Sequence, residues 1–83
     1  MHGLTPERNR REVDNHWEIE TLGYTDRVFY HVMFDGWHVA DCYEGPDGWK
    51  LSGRPRQQIP EHVMAVLPDG ARRVFEKASV LAG

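Results

Sequence analysis

The sequence predicts an α+β fold: a four-stranded antiparallel β-meander packed on one face by a C-terminal helical segment. Alternating apolar and polar side chains along residues 16–43 are typical of half-buried strands. Asp35-Gly36 divides this stretch with the commonest two-residue connection of a tight β-hairpin. Residues 71–81 repeat apolar side chains at helical spacing. With 83 residues, the chain has room for one modest core.

The N-terminal residues are polar, with Leu4 and Val13 as their sizeable apolar side chains. Thr5-Pro6-Glu7 suits a helix start, because Thr caps, Pro fits the first helical position and Glu favours the N-terminal end of the helix dipole. We therefore expect a polar arm or short helix within residues 1–15, followed by a single α+β domain over residues 16–83.

The first strand is predicted from His16 to Leu22, where the alternation indicates one buried side, and we expect it to form an edge of the sheet. A four-residue turn at 23–26 would lead into a second strand ending at Phe34. In that register Glu18 lies opposite His31, and the two side chains can bond to each other.

The turn at Asp35-Gly36 then sets Phe34 opposite Trp37 and Val32 opposite Val39. Both registers gather the bulky side chains on one face, which we predict to be the core face. Its members are Trp17, Ile19, Val28, Tyr30, Val32, Phe34, Trp37, Val39 and Tyr43.

A fourth strand is predicted from Trp49 to Gly53, after the turn residues 44–48. The length of that loop decides which side chains of the strand face the core. A five-residue loop pairs Tyr43 with Trp49 and buries Trp49 and Leu51, whereas a four-residue loop reverses the two faces. We choose the five-residue loop because it buries the indole.

Two helical stretches follow the strands. The first begins near Pro60, places Val63 and Leu67 at helical spacing, and ends at Pro68. Asp69 can cap the second, whose apolar stripe is Ala71, Val74, Phe75, Ala78 and Leu81. We expect this stripe to cover the core face, with Phe75 and Trp37 both buried in the core.

The opposite face of the predicted sheet collects a different set of side chains: His16, Glu18, Glu20, Phe29, His31, Met33, His38, Ala40, Cys42 and Glu44. An apolar strip with a charged and histidine-rich rim is the usual composition of a protein-binding patch. Three occupants are open at this point: a different protein, a second copy of the chain, or residues 1–13 folded back over the strip.

No cofactor or metal is expected. The predicted registers spread His16, His31, His38 and Cys42 over several rungs of the sheet, so few of them would converge within reach of one ion. None of the local spacings of a known zinc module is present. We expect the histidines to be ordinary half-exposed sheet residues.

No catalytic site is expected either. Cys42 is the single cysteine and lies in the predicted apolar strip, where a thiol is inert and its pKa is raised. The acidic residues are too scattered to nominate a general acid and base. We therefore interpret the chain as a non-enzymatic protein. The single cysteine favours a cytoplasmic setting, and no apolar run approaches the roughly 20 residues that cross a membrane.

Charge is distributed unevenly along the chain, which has a net charge of −3. Residues 12–48 carry nine Asp and Glu against Arg27 alone, whereas the arm and the C-terminal part are basic. Such an acidic sheet suits a basic partner surface, since charge complementarity speeds encounter. Acidic side chains kept for solubility alone are the competing explanation.

The first functional hypothesis is therefore a protein-binding module, an inhibitor that docks its acidic sheet face on a basic, nucleic-acid-binding partner. Phage anti-defence proteins, including anti-CRISPR inhibitors, often act this way; the likeness is one of size and charge. The expected contact residues are Glu18, Glu20, Phe29, His31, Met33, His38 and Glu44. The alternatives are a homodimeric accessory domain and a nucleic-acid-binding protein that uses Arg54, Arg56, Arg72 and Arg73. Direct nucleic-acid binding is disfavoured by the negative net charge.

Overall fold

The computed structural model describes residues 7–82 and the side chains as far as Ser79, and it shows an α+β fold. Its elements are β1 (Glu7–Glu12), β2 (Trp17–Gly23), β3 (Val28–Phe34), β4 (Trp37–Gly45), β5 (Gly48–Gly53), α1 (Glu61–Met64) and α2 (Asp69–Ala82). The strands pair antiparallel in the order β1-β2-β3-β4-β5, and α2 packs against β4 and β5. The predicted class is confirmed, but the sheet has five strands, not four.

The additional strand is β1, where the sequence predicted an arm or a short helix. It pairs with β2 from Glu7 opposite Gly23 to Glu12 opposite Glu18, so β2 is an inner strand and not the predicted edge. Every side chain of β1 is exposed, and the strand therefore lacks the apolar alternation by which strands are recognised. The first five residues and Pro6 of the predicted helix start lie outside the described residues.

The β2–β3 connection differs from the prediction by one position. The backbone N–H of Tyr24 donates to the carbonyl of Arg27 at 2.8 Å, and the loop occupies 24–27. Trp17 consequently lies opposite Phe34 and not opposite Val32, a shift of two residues in register. Because side chains alternate with a period of two, this shift leaves every side chain of both strands on its predicted face.

The predicted turn between β3 and β4 is confirmed. Asp35 and Gly36 have φ values of 49° and 84°, the positive values that a type I′ turn requires of both central residues. Phe34 lies opposite Trp37, as expected.

β4 then contains a β-bulge that the sequence analysis did not anticipate. Met33 lies opposite His38, but Val32 lies opposite Ala40, so Val39 is an extra residue on this strand. Val39 and Ala40 are consecutive, and both are buried. An extra residue of this kind inverts the alternation of every side chain that follows it.

The inversion corrects four assignments to faces. Ala40 and Cys42 were predicted on the second face, the one opposite the core face, but they are buried in the core under the helices. Tyr43, predicted in the core, lies on the second face, opposite Phe29. Glu44, also predicted on the second face, lies opposite Val28 and therefore on the covered side.

β5 follows a two-residue turn at Pro46-Asp47, with Gly45 opposite Gly48, and not the predicted five-residue loop. Trp49 nevertheless packs on the core from the covered face, as predicted, because it lies opposite Glu44 and not opposite Tyr43. The wrong loop and the missed bulge each shift the register by one residue, so their effects on the face of Trp49 cancel.

The helices cover one face of the sheet. α1 begins after Pro60, α2 begins at Asp69, and Ala71, Phe75 and Ala78 of the predicted stripe are buried; the side chain of Leu81 lies outside those described. The core cluster comprises Trp17, Ile19, Val32, Val39, Ala40, Cys42, Ile59, Val63, Leu67, Ala71 and Phe75. Across the described part of the chain, neither helix has the length and apolar character needed to cross a membrane.

Trp37 is the clearest error among the predicted core residues. Its side chain is 76% exposed, although Phe34 opposite it packs on the core. Trp37 follows the turn directly and lies at the end of the hairpin. The alternation gives the face of a residue but does not show how far along a strand the covering layer extends.

Candidate functional site

The face of the sheet opposite the helices is called the open face here. Residues that lie opposite each other in an antiparallel pair share a face, so the registers define its members. They are Arg8, Arg10, Glu12, Glu18, Glu20, Leu22, Phe29, His31, Met33, His38, Asp41, Tyr43 and Lys50.

Six of the seven predicted contact residues lie together on the open face: Glu18, Glu20, Phe29, His31, Met33 and His38. Glu44, the seventh, belongs to the covered side. Glu20 and Met33 are each only 6% exposed, because neighbouring side chains on the same face surround them. The predicted set is therefore mostly assembled, but two of its members have little surface to offer a partner.

Glu20 is the centre of the polar contacts on this face. Its Oε2 atom accepts a hydrogen bond from Nε of Arg10 at 3.3 Å and lies 3.5 Å from Nε of Arg8. Its Oε1 atom lies 3.2 Å from Nδ1 of His31. Burial acts to raise the pKa of the Glu20 carboxyl, but the bonds from His31 and Arg10 and the nearby charge of Arg8 outweigh it and lower that pKa.

The arginines of β1 change the electrostatics that the sequence predicted for this face. Glu18 also contacts Arg10, at 3.9 Å. The open face therefore carries both signs of charge and is not the acidic surface that was expected. The reason is β1, which was assigned to a separate arm and in fact places Arg8 and Arg10 beside the acidic strand.

The two histidines of the open face lie close together. The ring centroids of His31 and His38 are 4.8 Å apart. One ring nitrogen of each and one carboxylate oxygen of Glu20 all lie within 4.8 Å of one another. The sequence analysis weighed His16, His31, His38 and Cys42 as ligands but not Glu20, which the observed register places opposite His31 in place of the predicted Glu18.

Further along the open face, aromatic rings form a continuous row. The ring centroid of Phe29 lies 5.2 Å from that of Tyr43 and 5.8 Å from that of Tyr24. The guanidinium carbon of Arg27 lies 5.0 Å from the centroid of the Tyr43 ring, within the range of a cation–π contact. These rings are half-buried apart from Tyr24, which is 45% exposed.

A second polar cluster lies at the end of the sheet, where the β1–β2 and β3–β4 turns meet. Oδ1 of Asp14 accepts the backbone N–H groups of His16 and Trp17, at 2.8 and 2.7 Å, and its Oδ2 lies 2.7 Å from Nε2 of His62. The bond from the backbone of Trp17, followed by that from His62, lowers the pKa of Asp14 to about 2. Asp35 bonds to Nδ1 of His16 at 2.8 Å and so raises the pKa of that imidazole.

We call this end of the molecule the acidic tip, defined by Glu12, Asp14, Glu18, Asp35 and Trp37. Its four carboxylates line a shallow depression of about 140 Å³ that Gly36 also borders. Trp37, the next residue along the chain, is the most exposed large apolar side chain among those described. Sequence reasoning missed Trp37 as a surface residue because its place in the alternation is that of a core ring.

The other candidate residues give no site. Cys42 is buried, and this burial raises the pKa of its thiol to about 12, which makes it a poor nucleophile. Arg54 and Arg56 are exposed in the segment after β5, and Arg73 is exposed on α2. Arg72 is bound by Asp69 one turn earlier in the same helix.

Comparison of the chain with protein-family models, with curated proteins and with solved structures finds no match in any of the three.

Proposed function

We propose that this protein is a small, non-enzymatic binding module that docks its acidic tip on a basic surface of a partner protein. Trp37 carries the proposal. An indole that is 76% exposed leaves a large apolar area in water, and Trp is among the residues most enriched at the centres of protein interfaces. Trp37 does not belong to the core cluster of the described residues.

The carboxylates of the acidic tip indicate the chemistry of the partner. Glu12, Asp14, Glu18 and Asp35 line one depression, and within the described part of the chain Arg10 is the one arginine that contacts them, at Glu18. A basic partner surface complements this charge and would be steered towards it at a rate that falls with salt. An inhibitor that occupies a nucleic-acid-binding groove has these requirements.

The experiment compares two variants as baits for proteins from the native host. Trp37→Ala removes the proposed anchor. Tyr24→Ala is the matched control, because it removes an exposed aromatic ring from the other end of the open face. We expect a protein retained by the wild type and by Tyr24→Ala to be lost with Trp37→Ala. Equal retention by all three baits at physiological salt would overturn the proposal.

Charge reversal tests the electrostatic half separately. Glu18→Lys is suitable because its side chain is partly exposed, whereas Glu20 is too buried and too fully bonded for a lysine to replace it cleanly. We expect Glu18→Lys to slow association with the captured partner and to flatten its dependence on salt. An unchanged association rate would exclude a basic docking surface at this position.

The two alternatives from the sequence stay predictions. Light scattering at dilute concentration tests the homodimer, and a dimer that dissociates in Trp37→Ala would identify the partner as a second copy. A nucleic-acid complex that depends on Arg54 and Arg56, and is indifferent to Trp37, would replace the proposed function.

A further inference from the structure

We propose that Glu20, His31 and His38 bind a divalent transition-metal ion of the zinc class on the open face. The three side chains come from β2, β3 and β4, and their ligand atoms lie within 4.8 Å of one another. This site is distinct from the acidic tip, and it does not depend on the proposed protein-binding function.

The types of donor fit this class of ion. Two imidazole nitrogens and one carboxylate oxygen form a ligand set that zinc and other first-row divalent metals take in proteins, with further positions left for water. Ligands about 2.0–2.1 Å from a tetrahedral zinc lie roughly 3.3 Å from each other. Nδ1 of His31 and Oε1 of Glu20 are 3.2 Å apart, close to that separation.

The surrounding groups hold the ligands as second-sphere partners do in known metal sites. Oδ1 of Asp41 lies 3.0 Å from Nδ1 of His38, so this imidazole can donate its Nδ1 proton and present Nε2 to a metal. Arg10 and Arg8 contact Oε2 of Glu20 and leave Oε1 directed at His31. The arginines therefore hold Oε2 of Glu20, and Oε1 can bind a metal.

A simple hydrogen bond explains part of this arrangement but not all of it. The pairing of Glu20 with His31 accounts for those two side chains. It does not account for His38, which has its own carboxylate in Asp41 and still lies against the ring of His31. The bulge in β4 brings His38 and Asp41 to the same face although they are three residues apart. His38 is also about half exposed, which gives an ion access from solvent.

The experiment measures binding of Zn²⁺ by calorimetry and of Co²⁺ by visible absorption, on the full chain freed of any affinity tag. His38→Ala is the principal variant, because its side chain is exposed and its loss leaves the core intact. His31→Gln is the second. His62→Ala is the matched control: it removes an exposed imidazole that is also bonded to a carboxylate, Asp14, but that belongs to no group of three ligand atoms within 4.8 Å of one another among the described residues.

We expect one ion per chain, an affinity at least about tenfold lower in His38→Ala and in His31→Gln, and no change in His62→Ala. Co²⁺ should give an absorption band in the wild type that is lost in His38→Ala. The proposal is overturned by the absence of saturable binding up to about 0.1 mM ion, or by equal losses in His38→Ala and His62→Ala. Trp37→Ala should bind the ion as the wild type does, so failure of the docking proposal leaves this one standing.

Discussion

The two faces of the sheet are built on different physical principles. On the covered side, Val32 of β3, Val63 of α1 and Phe75 of α2 are fully buried in one core cluster. On the open face, the principal contacts are ion pairs and imidazole–carboxylate bonds, several with a partner more than half exposed to water. Packing of buried side chains dominates stability, whereas solvent-screened pairs contribute little. The stabilising core and the candidate metal site therefore lie on opposite faces of one sheet.

The largest expected effect is on the covered face. Phe75→Ala should lower the free energy of unfolding by about 3–5 kcal/mol, because it empties a fully buried aromatic site in a chain with a small core. Denaturation by urea, followed by circular dichroism, measures the change.

Trp37→Ala is the counterpart at the acidic tip. Trp37→Ala should lower the free energy of unfolding by less than about 1 kcal/mol, because the indole is already in water. Similar losses in the two variants would mean that the indole of Trp37 is packed, and both the comparison and the docking proposal would lose their basis.

A smaller effect is expected at the most buried charge of the open face. Glu20→Gln should cost about 1 kcal/mol, because the carboxylate loses charge-assisted bonds from Arg10 and His31 while the arginine remains solvated. Glu12→Gln is the control, since Glu12 is exposed and lies opposite the like charge of Glu18. A loss in Glu20→Gln as large as that in Phe75→Ala would show that the open face is not a minor contributor to stability.

The smallest effect is a dependence on pH at the acidic tip. The pKa of Asp14 is lowered to about 2 in the folded protein, from 3.8. The carboxylate therefore stabilises the fold above pH 3.8, and this contribution is lost as the pH falls towards 2. Asp14→Asn keeps an oxygen that accepts from the backbone but does not titrate. The melting temperature of the wild type should fall more steeply than that of Asp14→Asn over this interval, and parallel curves would contradict the assignment.

Local chemistry was enough to predict part of this architecture. The Asp35-Gly36 turn needs positive φ at two positions, and few dipeptides supply it. The stripe through Ala71 and Phe75 repeats at the spacing of a helix, and both residues are buried. Features whose cause lies within a few neighbouring residues could therefore be predicted from the sequence.

The bulge in β4 could not be predicted in this way, because its cause is tertiary packing. Val39 and Ala40 are consecutive and apolar, and strict alternation would send one of them to the open face. The extra residue lets both face the helices, and it places His38 and Asp41 together on the other side. The candidate metal site was missed for a different reason: the predicted β2–β3 register set Glu18, and not Glu20, opposite His31.

Strand β1 and Trp37 were missed for a related reason, because apolar patterning reports burial and neither of them is buried. An edge strand exposed on both faces is stabilised by its backbone pairing, and the pattern of side chains gives no sign of that pairing. An exposed ring at the end of a hairpin has the same place in the alternation as a buried one.

The composition of β1 has a consequence for how the protein behaves in concentrated solution. Five of its six side chains are charged, and they project from both sides of the outermost strand. A further strand added to that edge would have to match these charges position by position on both sides, which an arbitrary apolar segment cannot do. The charges of β1 therefore disfavour the addition of further strands at this edge, which is the step by which sheets grow into fibres.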